Sequence, residues 1–252
     1  MRATQDVLDI WKQFDAFPME TLSKAWIASV SNGGRQRTVE VMEEHRQQYG
    51  LSGNCFDLAA WLIHKCKAEG LEAYGVGHGL CTPKAHVAVV AVNHQGYRYF
   101  CDLGDQWIEP VLIDPDNEDF CQAELAGFVT GGKVKVEATN SGVRFSYIRP
   151  NGKVSFQSFD LTPIGDDEWM AAACYSQSLL RHPLVEMRLP ASREVIHWEF
   201  DSWSSFISSS EGLTKEPQLG TNEEWAAKIH ERTGMSTEIV LKALNLYSSL
   251  RK

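Results

Sequence analysis

The feature that most restricts the fold is the unbroken, largely β-branched run His86-Val87-Ala88-Val89-Val90-Ala91-Val92. A run of this kind reads as a strand buried on both faces. The turn signal Asn93-His94-Gln95-Gly96 follows it and leads into Tyr97-Arg98-Tyr99-Phe100-Cys101-Asp102-Leu103, which predicts an antiparallel hairpin. If the loop is the odd-length set His94, Gln95 and Gly96, with the glycine left-handed, even-numbered residues of both strands share a face. Asp102 then pairs with Ala88 and lies diagonal to His86, at a backbone separation of about 7–8 Å that two polar side chains can close. An unpaired carboxylate in so apolar a hairpin would be costly. A hydrogen bond to the imidazole satisfies it and fixes which ring nitrogen stays available. A four-residue loop would put the two residues on opposite faces.

The available nitrogen has an obvious partner type upstream. In Ser52-Gly53-Asn54-Cys55-Phe56-Asp57, Asn54 is placed to cap a helix and Asp57 to answer it three residues on. Cys55 falls in the first turn, where the positive end of the macrodipole and unpaired N–H groups favour a thiolate. Ala59, Leu62, Ile63 and Cys66 recur at helical spacing, and Gly70 closes the run. Taken alone, a cysteine at a helix start is most often a small buried hydrophobe. His86 alone fits a satisfied core histidine, and Asp102 alone a strand-end residue. In this order the three read as nucleophile, base and orienter.

These segments resemble the arylamine N-acetyltransferase family. Gly53-Asn54-Cys55-Phe56 is similar to its cysteine motif, the His86 strand to its histidine strand, and Tyr99-Phe100-Cys101-Asp102-Leu103-Gly104 to its aspartate strand. Phe17-Pro18-Met19-Glu20-Thr21-Leu22 is similar to its N-terminal Pro-Phe-Glu-Asn-Leu segment, and Tyr175 to Leu189 more loosely to the segment closing its barrel. Two motifs differ. The Arg-Gly-Gly before the cysteine is Leu51-Ser52-Gly53 here, so the arginine partner of the glutamate corresponding to Glu20 is missing. The Gly-x-Gly after the aspartate is Gly104-Asp105-Gln106.

The resemblance implies an α+β fold with a cysteine-proteinase-like, transglutaminase-like core. An N-terminal helical domain (1–80) carries Cys55, a β-barrel-like antiparallel domain (81–190) carries His86 and Asp102, and a C-terminal α/β lid spans 191–252. It implies a ping-pong N-acyltransferase in which acetyl-CoA is a cosubstrate and no cofactor stays bound. The acceptor would be an arylamine or hydrazine, with Gly104 and Gln106 flanking the acyl donor, and Trp107, just after the aspartate strand, reads either as core or as one wall of the donor cleft. Gln106, in place of a glycine, is expected to crowd the cleft or offer it an amide. A hydrolase or amide synthase on the same core is the alternative, and a non-catalytic binding scaffold the third.

The remaining sequence agrees in outline. Helical patterns fill residues 5–70, strand patterns 84–207, and Ser208 to Thr221 reads as a linker. Two amphipathic helices follow, Asn222 to His230 and Ser236 to Leu250. A net charge of −9 argues against a nucleic-acid partner. There is no apolar run of membrane-spanning length, and Arg2 to Val7 holds no signal core, so a cytoplasmic protein is expected. The six cysteines are expected as reduced thiols within a helix and strands. With no Cys-x-x-Cys pair and no His-Glu-x-x-His helix, no metal site is expected at His64 and Cys66, or at His78 and Cys81 with His86. Thr130-Gly131-Gly132-Lys133 reads either as a hairpin turn or as a small anion nest. Glu20 reads as structural.

Overall fold

The computed structural model describes residues 2–31, 34–139 and 141–251, which form seven α-helices and thirteen β-strands. The helices are α1 (Gln5–Trp11), α2 (Leu22–Val30), α3 (Val39–Tyr49), α4 (Cys55–Ala68), α5 (Asp166–Ser178), α6 (Asn222–Thr233) and α7 (Thr237–Leu250). The strands before α5 are β1 (Met19–Glu20), β2 (Glu72–His78), β3 (His86–Val92), β4 (Arg98–Cys101), β5 (Val111–Leu112), β6 (Leu125–Ala126), β7 (Lys133–Ala138), β8 (Gly142–Ile148) and β9 (Val154–Asp160). After it come β10 (Leu184–Pro190), β11 (Val195–Asp201), β12 (Ser204–Ser209) and β13 (Gly212–Lys215).

The β3–β4 hairpin has the odd loop. Val89 pairs with Cys101 and Val92 with Arg98. The Asn93 N–H then donates to Tyr97 O at 2.9 Å, and Gly96 is left-handed at φ +87. Val87 through Ala91 are all buried, as a strand covered on both sides must be. Helix α4 packs on β2 and β3. Phe100 meets Phe145 at 4.4 Å and Phe159 at 4.8 Å, which joins this sheet to the next.

The expected barrel does not close among the described residues. Strands β2-β3-β4-β5 form one four-stranded antiparallel sheet and β6-β7-β8-β9 another. Strand β9 runs beside β2, but the Gly75 carbonyl on β2 accepts the N–H of Ile164 (3.0 Å), from the segment leading into α5. Trp169 of α5 seats against Gly75, where any Cβ would collide with its ring. Removing an aromatic ring from such an interior costs about 3–5 kcal/mol, so the Phe100 cluster is ample to hold two open sheets together.

The third sheet, in the order β1-β10-β11-β12-β13, takes its first strand from the N-terminal segment, with Met19 paired to Glu186. Its apolar face, including Val185, Trp198 and Phe200, forms a second core with α2, α6 and α7 through Leu22, Trp225, Val240 and Leu244. Three stretches differ from expectation. Residues 72–78 form β2, Asp166–Ser178 form a helix inside the region expected as strands, and β12 and β13 occupy much of the expected linker.

Candidate active site

Cys55 is the first residue of α4, and the cap that holds it is complete. Asn54 Oδ1 accepts from the N–H groups of Phe56 (3.0 Å) and Asp57 (3.2 Å), while Asp57 Oδ2 accepts from Asn54 N–H (3.1 Å). His86 opens β3, and Asp102 directly follows β4. Gly104 shows how closely the three approach. A Cβ there would lie 2.7 Å from Cys55 Cβ, 2.8 Å from His86 Cε1 and 3.2 Å from Asp102 Oδ1, so only a hydrogen fits. His86 Nε2 donates to Asp102 Oδ2 at 2.8 Å, and Cys55 is near enough to act on the charge of the same ring. With Nε2 engaged by the carboxylate, Nδ1 is the nitrogen left for sulfur.

A second carboxylate, which sequence reasoning missed, shares the imidazole. Asp105 Oδ1 lies 3.7 Å from His86 Nε2, and its own N–H donates to Asp102 Oδ1 at 2.9 Å. Gln157 Nε2 holds the other Asp105 oxygen at 2.8 Å, and Tyr147 OH donates to Gln157 Oε1 at 3.0 Å. Burial opposes charge on His86, but Asp102, Asp105 and the bonds to Asp102 and Cys55 outweigh it and hold the imidazole well above its usual pKa. Burial in turn raises the Asp105 carboxyl, which His86 opposes and Asp102 reinforces. Donor atoms of His86, Asp102 and Asp105 fall within 4.8 Å of one another.

An arginine from another part of the chain supports the cysteine loop, paired with Asp57 and not with Glu20. Arg37, on the segment before α3, is buried with Nη2 3.1 Å from Asp57 Oδ2 and donates to Ser52 O at 2.9 Å. It also faces Glu20, whose carboxyl is raised by complete burial and drawn back by the Arg37 charge. Asp57 further accepts from Gln36 (2.8 Å) and Gln177 (2.9 Å), and Glu20 N–H donates to Gly53 O (2.8 Å). This network fixes the loop that presents Cys55. Lys24 of α2 donates to Ser176 O at 3.2 Å; burial lowers its pKa, against the attraction of Cys55, Asp57 and Glu20.

Beyond Asp105, on the side away from Asp102, opens a cavity of about 880 Å³ lined by residues of the second and third sheets. Its lip carries Thr130-Gly131-Gly132-Lys133, Arg149 and Lys153; its floor carries Asp105, Glu186, His197 and Glu199. The Thr130–Lys133 segment is a turn with Gly131 left-handed (φ +62) and the Thr130 hydroxyl unpartnered.

Of the residues expected to flank a donor, Gln106 lines this cavity but does not crowd it. It is buried at φ +52, donating to Leu103 O (2.8 Å) and Phe17 O (3.4 Å) and accepting from Arg188 N–H (3.3 Å). Its amide ties segments together. Gly104 sits against the cysteine, and Trp107 is fully buried against Phe100 and Phe145. No disulfide joins any of the six cysteines, and Cys81 and Cys121 lie in loops and not in regular elements.

No family model matches the chain, and no curated protein matches it by sequence. Solved structures do. The chain superposes on the Mycobacterium marinum arylamine N-acetyltransferase in complex with CoA at a TM-score of 0.74 and 11% identity, covering 97% of this chain and 92% of that one. Against the M. tuberculosis arylamine N-acetyltransferase the values are 0.75 and 14%, over 99% and 94%. Against a Bacillus cereus arylamine N-acetyltransferase with a Cys-His-Glu catalytic triad they are 0.65 and 15%, over 93% and 92%. The fold is that of the arylamine N-acetyltransferases.

Proposed function

We propose that this protein is an acyl-CoA dependent N-acyltransferase working through an acyl-cysteine. The observation that carries the reading is the His86–Asp102 hydrogen bond, with Cys55 packed beside it around Gly104 and Asp105 leading from it to a cavity, in a chain of this fold. Cys55, as thiolate, attacks the thioester carbonyl; the new C–S bond forms as coenzyme A leaves as its thiol, taking the proton held by His86. An amine then attacks the acyl-enzyme, its proton passes to His86, and Cys55 is released. Asp102 orients His86 and supports its charge.

The N–H groups of Phe56 and Asp57 serve the cap and that of Leu58 goes to Asn54 O, so the Cys55 N–H is the helix-start donor proposed for the oxyanion. The lip suits a coenzyme's phosphates: Arg149 and Lys153 supply charge, and the Thr130–Lys133 turn a backbone nest. On this reading residues 1–80 carry the nucleophile, 81–190 its base, and 191–252 the far wall of the cavity. No described helix is long and apolar enough to cross a membrane.

Intact mass after incubation with acetyl-CoA tests the proposal. An acetyl adduct that maps to Cys55 and is discharged by aniline supports it. No adduct from any short-chain acyl-CoA would reject the transferase reading, and discharge by water alone would turn it into a hydrolase.

A further inference from the structure

The cavity floor holds a feature that neither the acyl donor nor the Cys55 chemistry uses. Glu186 on β10 pairs in register with Glu199 on β11, and His197, two residues along, stands on the same face of the sheet. Side chains paired in this way lie about 4.5–5.5 Å apart at Cβ, so the carboxylates are neighbours. Among the described residues no lysine or arginine side chain is within ion-pair distance of either glutamate; Arg149 acts on Glu199 only from the lip. His197 adds an independent sign. Its Nε2 is shielded from solvent and has no hydrogen-bond partner, and burial lowers the imidazole pKa to about 4, so the ring is neutral. An unpaired imidazole nitrogen is a vacant hydrogen-bonding position, and it accepts when the ring carries its proton on Nδ1.

Burial and mutual repulsion, with Asp105 adding its charge, push the Glu186 carboxyl well above its usual range, the mark of a site lacking a counter-ion. An ammonium group supplies what the floor lacks. Its three N–H donors match two carboxylates and one imidazole nitrogen, and its charge answers theirs. Asp105 links this floor to His86, being within 3.7 Å of the ring and part of the same cavity wall. On the acyltransferase reading, an acceptor that fills the floor carries this ammonium at one end and its reacting amine at the other.

We propose that the acceptor is a diamine-type alkylamine whose distal ammonium is held by Glu186, Glu199 and His197 while its neutral amine faces acyl-Cys55. This rests on the acyltransferase reading for the reaction, though not for the binding. The neutral nitrogen forms the C–N bond to the acyl carbon as the C–S bond to Cys55 breaks, its surplus proton goes to His86, and the distal ammonium is unchanged. Arylamines, which are uncharged near neutral pH, would leave the floor empty.

The test uses the whole protein and 1,4-diaminobutane, with butylamine as the probe lacking the second ammonium. Calorimetry on the unacylated protein should show the diamine binding roughly tenfold more tightly than butylamine, and Glu186→Gln and Glu199→Gln should each bring the ratio towards one. In acetyl transfer the ratio of the two KM values should collapse in the same variants. Equal binding of both amines to the parent, or a preference that survives both substitutions, overturns the proposal. Diamine binding that needs Glu186 without any acetyl adduct on Cys55 keeps the ammonium site and rejects the acetyl-CoA reading instead.

Discussion

Cys55 and Cys81 are both reachable, and they differ in what surrounds the sulfur. Cys81 is exposed in a loop, whereas Cys55 is half-buried beside an imidazole whose pKa two carboxylates raise. Thiolate character and not exposure controls alkylation, so iodoacetamide at pH 7 should modify Cys55 first. Cys66, whose thiol burial pushes up to about 12, should stay unlabelled, as should buried Cys101. His86→Gln should slow Cys55 by roughly tenfold or more and leave Cys81 unchanged. Peptide mapping in which Cys81 reacts ahead of Cys55 would remove the activated thiol. Asp102 invites the companion experiment. It accepts from His86 Nε2 and from the Asp105 N–H, and an asparagine keeps the shape and one acceptor but loses the charge. Asp102→Asn should therefore lower turnover by roughly two to four orders of magnitude while moving the thermal midpoint by only a few degrees, about 1 kcal/mol. His86 should also lose its proton at lower pH in that variant, an effect that NMR titration of the ring reads directly.

Among the elements, the start of α4 depends most on distant support. Arg37 pairs with buried Asp57 and its charge also acts on buried Glu20, and removing one partner from a buried ionic group leaves charge uncompensated at about 3–5 kcal/mol. Arg37→Met should cost that much in urea unfolding and reduce Cys55 labelling, and Arg37→Lys should recover part of both. A loss under about 1 kcal/mol would mean that Gln36 and Gln177 alone satisfy Asp57. The same elements show what a sequence can express. The α4 cap and the β3–β4 turn were legible because Asn54 and Asp57, or Asn93 and Gly96, act within a few residues of one another. That local geometry was enough to bring His86 to Asp102. Arg37 and Asp105 were not legible, since their partners lie at 20 and 57 in one case and at 86 and 157 in the other. Helix α5 was hidden by its own composition. The residues it buries are Ala172, Ala173 and Gln177, which make no apolar stripe, although Asp166, Asp167 and Glu168 in its first turn were an available N-terminal signal. The barrel failed for a related reason: which segment takes the β2 edge is decided by Ile164 and Trp169, far from either strand's own pattern.

At the scale of the molecule, the third sheet must stay attached to α6 for the cavity to keep its far wall, and Glu216 makes that attachment. Its carboxylate accepts from Trp198 Nε1 (2.7 Å) on β11 and Ser205 Oγ (2.8 Å) on β12, and pairs with Lys228 (2.8 Å) and Arg232 (3.2 Å) on α6. Burial works against this charge, yet the bonds from Lys228, Ser205 and Trp198 prevail and hold the carboxyl at about 2. A carboxylate with a depressed folded-state pKa stabilises the fold fully above its unfolded pKa of about 4.3 and loses that contribution as pH falls towards the folded value. Glu216→Gln should thus be less stable than the parent at pH 7 by an amount that is constant down to about pH 5 and shrinks steadily between there and pH 2. Urea titrations of both proteins across that range measure the gap. A gap that is independent of pH would assign the loss to the neutral hydrogen bonds from Trp198 and Ser205, and one that widens on acidification would show that the charge opposes the attachment. The link also reaches the cavity, because Trp198 lies between His197 and Glu199 on β11. Glu216→Gln should accordingly weaken diamine binding without touching any residue on the floor.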